Sequence, residues 1–263
     1  AIDMDENKEY VILGKGVGFG KKVSQRFDKP EGCTTYRLEQ ETERGSAKEL
    51  VKGIEPEYLE IADAILTESQ KVFGDSIDRG ILFPLADHIS FAVARIRRNE
   101  QISNPLTEDI KVLFYSEFKV AETLKTILRE RLQIEIDDHE VGYVALHIHS
   151  AIGDEKVSVA MQTARAVREC IDMIEKATGK PIDVLSLSYN RLMNHMKYMV
   201  ARASTGEKLN LDMNEYMLDQ YPQAYKVATD ICKNLEGCIG HNLDETETGY
   251  LAMHIQRVYK DAV

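Results

Sequence analysis

With 263 residues, 44 Asp or Glu against 33 Lys or Arg and a formal net charge of −11, the chain is too acidic to coat a nucleic acid over its whole surface. Any nucleic-acid site therefore has to be local. The 43% hydrophobic and 29% charged fractions suit a globular protein, no apolar run approaches the roughly 20 residues of a membrane span, and four cysteines without a C-x-x-C pair read as reduced thiols of a cytoplasmic chain.

The leader comes first. Tyr10 to Leu13 reads as a short strand, and Gly14 to Gly20 places four glycines in seven residues. A basic segment with Lys21, Lys22 and Arg26 leads to a second strand-like run at Thr34 to Leu38. From Tyr10 to Phe27 there are four Lys or Arg and no Asp or Glu, the one local polyanion signal in the chain. Glu39 to Lys52 turns polar and reads as a hinge that becomes helical towards Leu50.

Everything downstream reads as helix. In the first half, Tyr58, Ile61, Ala62, Ile65, Leu66, Val72 and Phe73 recur mostly at three- and four-residue spacing, and a second helix is expected over about 80–98. A further amphipathic stretch covers 110–131, and a last helix begins near Asp137. The second half opens near Lys156, with Val159, Ala164, Val167, Cys170, Ile171, Ile174 and Ala177 on one face. Helices are then expected over about 183–203, 221–235 and 244–261.

The halves are copies of each other. Asp137 to Ser150, D-D-H-E-V-G-Y-V-A-L-H-I-H-S, returns 107 residues later as D-E-T-E-T-G-Y-L-A-M-H-I-Q-R. Without a gap, at least fifteen of the 64 positions from Leu85 to Ile148 match their counterparts, which chance does not supply. The expected fold is mainly α, two tandem helical bundles behind a small antiparallel β domain. The boundaries are 1–45, 46–155 and 156–263.

The repeat also sorts the histidines. His88 and His147 fall on His195 and His254, whereas His139, His149 and His241 have no histidine opposite them. Each copy sets an Arg seven residues after its first His, Arg95 or Arg202, and a Glu seven residues before its second, Glu140 or Glu247. Seven residues is about two helical turns, so each pair shares one helix face.

Four chemistries compete for these residues. They can be hydrogen-bonded histidines of a bundle core. A metal hydrolase would draw on His147-Ile-His149 with Asp87-His88, but i and i+2 diverge on a helix and Gln256 replaces His149 in the second copy. Nucleophilic serine chemistry lacks a G-x-S-x-G elbow. The fourth is phosphate acceptance: neutral imidazole is nucleophilic near pH 7, and the product dianion pairs with an Arg and is repelled by a carboxylate.

The leader E-Y-V-I-L-G-K-G-V-G-F-G-K-K (Glu9 to Lys22), followed by two copies of H-x6-R and E-x-G-Y-x-A-[LM]-H-I, resembles transcriptional antiterminators of the BglG/SacY type, regulated by the sugar phosphotransferase system. The resemblance covers essentially the whole chain. It implies a dimeric RNA-binding leader that grips an mRNA stem-loop and blocks a terminator, and two regulation modules phosphorylated at His88, His147, His195 and His254. Arg95, Arg202, Glu140 and Glu247 would support those phosphates, and Gly14, Lys15, Gly16, Phe19, Lys21 and Lys22 would meet RNA.

The implied partners are the phosphocarrier HPr, a sugar-specific enzyme II permease and a second copy of the chain. The permease would silence through the first module and HPr would activate through the second. No catalysis, cofactor, metal or membrane insertion is expected. The family's leader also carries an earlier strand with a run of asparagines, expected to lie outside this sequence. The alternatives are a DNA-binding activator with the same modules, which needs a helix-turn-helix, and a metal-dependent helical hydrolase.

Overall fold

The computed structural model describes residues 1–4, 8–29, 31–38, 41–42, 45–153, 156–179, 181–183 and 186–261. Glu39 and Gln40 of the hinge, Glu155 at the expected module boundary and Val184 near the start of the expected 183–203 helix lie outside the described residues. The chain divides into two compact units, residues 1–103 with 116–156, and residues 104–115 with 157–263.

In the first unit, β1 (Ile2–Asp3), β2 (Lys8–Leu13) and β3 (Thr34–Arg37) form an antiparallel sheet in that order, with Val11 opposite Tyr36 and Leu13 opposite Thr34. A second, two-stranded sheet pairs β4 (Glu41–Thr42) with β5 (Gly45–Ser46), and α1 (Ala47–Gly53) follows directly. The polar hinge expected over 39–52 thus holds a hairpin and a full helix. The helix starts at Ala47, whose side chain is wholly buried, after an extended Ser46.

Helix α2 (Pro56–Phe73) opens on a proline at its first turn and closes at Gly74 with φ +66°, conformations those two residues adopt at low cost. It buries Tyr58, Leu59, Ile61, Ala62, Ile65 and Leu66, most of them anticipated from spacing, and packs on α3 (Leu82–Arg97), whereas Val72, expected on the same face, is 59% exposed in the last turn. One side chain ties the sheet to these helices. Tyr36 of β3 is buried, its hydroxyl donates to Asp63, and Arg79 Nη2 donates to the Tyr36 oxygen and to Asp63 Oδ1 at 2.7 Å each. Burial and the Asp63 carboxylate push the Tyr36 phenol well above its usual range.

The single stretch expected over 110–131 is three helices, α4 (Thr107–Leu113), α5 (Tyr115–Ala121) and α6 (Thr123–Leu132). In the second copy the matching break falls at Tyr221, where Pro222 forces the preceding residue out of the helical region. Phe114 takes a similar conformation without a proline, and its buried ring holds it there. Helix α7 (Asp138–Gly153) ends the first copy and packs on α2 and α3.

The second unit repeats the plan. Helix α8 (Val157–Thr178) buries Ala160, Ala164, Val167, Cys170, Ile171 and Ile174, and α4 lies against it; Val159 and Ala177, expected on that face, are exposed near the two ends of the helix. Ser186 caps α9 (Leu187–Thr205) by accepting from the Tyr189 amide at 3.1 Å, and Gly206 ends it in the left-handed region. Then come α10 (Asn214–Gln220), α11 (Pro222–Ile239) and α12 (Thr246–Asp261), with α12 packed on α9, α10 and α11. A Cβ on Gly249 of α12 would lie 2.7 Å from the Met213 carbonyl carbon, so glycine is what lets α10 start this close. Cys170 and Cys232 are buried free thiols, pushed up to about 12 and about 11 by desolvation. No helix among the described residues is long and apolar enough to cross a membrane.

Candidate functional site: two histidine clusters

In the first unit, α3 contributes His88 and Arg95, and α7 contributes Glu140, Tyr143 and His147. Arg95 Nη2 donates to Glu140 Oε1 at 2.8 Å, and His88 Nε2 lies 3.5 Å from Glu140 Oε2. The His88 and His147 rings sit 5.3 Å apart, with Tyr143 5.7 Å from His88. His88 is 8% exposed, His147 6% and Glu140 3%, so the cluster is nearly closed. Burial raises the cost of ionising Glu140, but the nearby His88 and the Arg95 guanidinium outweigh that and hold the carboxyl below its usual range.

The second unit rebuilds the same cluster from α9 and α12. Arg202 meets Glu247 in a two-pronged pair, Nε to Oε1 at 2.6 Å and Nη2 to Oε2 at 2.9 Å. His195 Nε2 is 3.7 Å from Glu247 Oε2, and the His195 and His254 rings stack at 4.8 Å with 24° between their planes. Desolvation, then the neighbouring His254 and Arg202, lowers His195 to about 3; desolvation, then Arg257 and Arg191, lowers His254 to about 4. Both rings are therefore neutral near pH 7, the form with a lone pair to offer. A cleft of about 210 Å³ opens beside the Arg202–Glu247 pair, walled by Met199, Gly206, Lys208 and Leu243.

The residues singled out by spacing thus converge in each unit, although they sit on helices far apart in sequence. Sequence reasoning missed Tyr143 and Tyr250, the aromatic neighbours of His88 and His195. It also missed Arg191 and Arg257, four residues before His195 and three after His254, a helical spacing that was available to be read. His149 turns away from the cluster, its Nδ1 2.9 Å from Glu117 Oε1. That is the divergence i and i+2 require on a helix. Among the described residues, no three His, Cys, Asp or Glu side chains gather as a metal-ligand set.

The leader residues form an exposed surface. Gly16 and Gly20 have φ of +73° and +70°, and successive tight turns run from Gly14 to Lys21. Gly14 has a packing reason of its own, since a Cβ there would meet Cys33 Sγ at 2.5 Å. Phe19 is 91% exposed, and Lys21 Nζ lies 4.9 Å from the Phe27 ring centre. The residues from 8 to 29 form strand and turns, with no helix among them.

Comparison with known proteins follows this division. A family model described as PRD domain matches residues 63–151 and again 168–258, and one described as CAT RNA binding domain matches residues 1–45. The chain is 29% identical over 259 residues to the GlcA/glcB genes antiterminator of Staphylococcus carnosus, covering 96% of this chain and 89% of that one. It is 26% identical over 262 residues to the transcription antiterminator LicT of Bacillus subtilis, covering 98% and 94%. The crystal structure of GlcT CAT-PRDI aligns with a TM-score of 0.49 and 26% identity over 56% of this chain and 88% of that one.

Proposed function

The chain belongs to the family that joins a CAT RNA-binding domain to two PRD domains, and from that membership we propose that it is an antiterminator controlled by histidine phosphorylation. As a dimer it binds a stem-loop in nascent mRNA through residues 1–45 and prevents the terminator of a sugar-utilisation operon from forming. Residues 46–155 and 156–263 are the two regulation modules. Gly14, Lys15, Gly16, Phe19, Lys21 and Lys22 are the RNA contacts, with the exposed Phe19 ring offered to an unstacked base. The relatives are named as antiterminators, and the reading is of a regulator rather than an enzyme.

The observation that carries the proposal is the duplicated cluster, two touching imidazoles beside a shared Arg–Glu pair, built twice from different side-chain neighbours. HPr and a sugar-specific enzyme II permease are the phosphate donors. His88, His147, His195 and His254 are the acceptors, Arg95 and Arg202 pair with the new charge, and Glu140 and Glu247 set the resting geometry. Because the His88 and His147 rings are nearly closed off, accepting a phosphate in the first module requires the helices to part. Modification and rearrangement are then one event.

The two modules respond differently because their surroundings differ. His254 has Arg191 and Arg257 nearby, whereas the matching positions in the first module are Pro84 and Ser150. A dianion in the second module therefore has two further guanidinium charges near it that the first module lacks. This supports phosphate as activating through the second module and silencing through the first. A full switch from 1:99 to 99:1 needs about 5.5 kcal/mol, within reach of a few charge-assisted contacts doubled by dimer symmetry.

The test is to phosphorylate the full chain with the phosphotransferase components and map the modified residues by mass spectrometry that spares acid-labile phosphohistidine. Modification at the four paired histidines is expected; modification confined to other residues ends the assignment.

A further inference from the structure

Each imidazole offers two nitrogens, and the clusters distinguish them. Among the described residues, the buried ring nitrogens without a hydrogen-bond partner are His88 Nε2, His195 Nε2 and His254 Nδ1. The first two face a carboxylate oxygen, at 3.5 Å from Glu140 and 3.7 Å from Glu247. His254 buries the opposite nitrogen and stacks on His195, so the two rings of the second unit present different edges.

A lone pair on Nε2 of His88 or His195 would point at the lone pairs of a buried carboxylate, whereas an N–H there points a positive dipole at it. The carboxylate therefore selects the tautomer with the proton on Nε2, and leaves the lone pair on Nδ1. A phosphate entering at Nε2 would also have to lodge against that carboxylate, dianion to anion. Entering at Nδ1, it lies on the far side of the ring. For His254 the buried nitrogen without a partner is Nδ1, which leaves Nε2 as the edge open to a phosphate, and the charges of Arg191 and Arg257 act on this ring.

Resting on the reading that these histidines are phosphorylated, we propose that the phosphoryl group enters His88 and His195 at Nδ1 and His254 at Nε2. Glu140 and Glu247 act as positioning residues that keep the Nε2 proton in place. In each transfer the acceptor lone pair forms the new P–N bond as the donor's P–N bond breaks, and the donor imidazole leaves with that electron pair as a neutral ring. The acceptor ring keeps its proton on the other nitrogen. The positive charge this leaves on His88 or His195 is met by Glu140 or Glu247.

The two phosphohistidine isomers are separable by 1H–31P correlation NMR and by isomer-selective antibodies. The full chain, phosphorylated with enzyme I, HPr and phosphoenolpyruvate, is compared with chains that keep one of the acceptors and carry His→Gln at the other three. The Nδ1 isomer is expected at His88 and His195, and the Nε2 isomer at His254. The reverse isomer at any of the three overturns the assignment for it. Absence of phosphate from all three, read by total phosphate bound, counts against the functional reading itself.

Two further readouts separate positioning from structure. In the unphosphorylated chain, 15N shifts should show Nε2 protonated in His88 and His195, and an Nδ1–H tautomer in either would overturn the proposal without any phosphorylation. Glu247→Gln, whose amide can accept or donate, should convert the single isomer at His195 into a mixture. An unchanged isomer would mean that Glu247 merely packs.

Discussion

Arg202→Met tests the cluster where its energetics are sharpest. Glu247 is 1% exposed and held by two short bonds from one guanidinium, so removing the Arg leaves a buried carboxylate with no cation against it. Breaking a buried pair from one side costs about 3–5 kcal/mol, most of it the stranded charge. Arg95→Met should cost less, about 2 kcal/mol, because Arg95 makes one bond to Glu140 at the more exposed of the two sites. The assay is urea unfolding of the full chain at pH 7. The double change Arg202→Met with Glu247→Leu should recover to within about 1 kcal/mol of the parent, since no charge is left to strand. A loss below about 1 kcal/mol for Arg202→Met, or a double variant no more stable than the single, would refute the reasoning.

Other outcomes follow from the same contacts. His195 and His254 have folded-state values below their unfolded ones, so the unfolded chain takes up protons first. Stability should be complete above about pH 6.5 and fall as pH drops towards about 3 to 4, measured as melting temperature against pH. Phe19→Ala should weaken binding to an RNA stem-loop by about 1–3 kcal/mol while leaving thermal melting unchanged, because the ring is in solvent. Gly14→Ala should destabilise the leader through the Cys33 collision, and Cys33→Ala in the same chain should relieve it, read by melting of the sheet. Tyr36→Phe removes the hydroxyl shared by Asp63 and Arg79 and should lower stability by about 1–2 kcal/mol in urea unfolding.

The parts of the fold legible in the sequence are those set by periodicity. The 107-residue offset carries α4 onto α10, and α5 with α6 onto α11, residue for residue. It also isolates the four histidines and their Arg and Glu partners, because residues that repeat survive comparison of the copies. That filter is equally why Arg191 and Arg257 went unseen: Pro84 and Ser150 occupy their places in the first copy. The break at Phe114 has no proline to announce it, and the Tyr36–Asp63–Arg79 node joins residues whose proximity depends on packing of sheet against helix, a long-range outcome that local spacing does not encode. The helical turn expected towards Leu50 is α1, and it begins at the buried Ala47.

The most direct trial of the histidine account is incorporation of 32P from phosphoenolpyruvate, through enzyme I and HPr, into the parent chain and into a chain with His→Gln at 88, 147, 195 and 254, with circular dichroism confirming that both are folded. The account predicts label in the parent and none in the folded fourfold variant. Label of equal extent in both would contradict it.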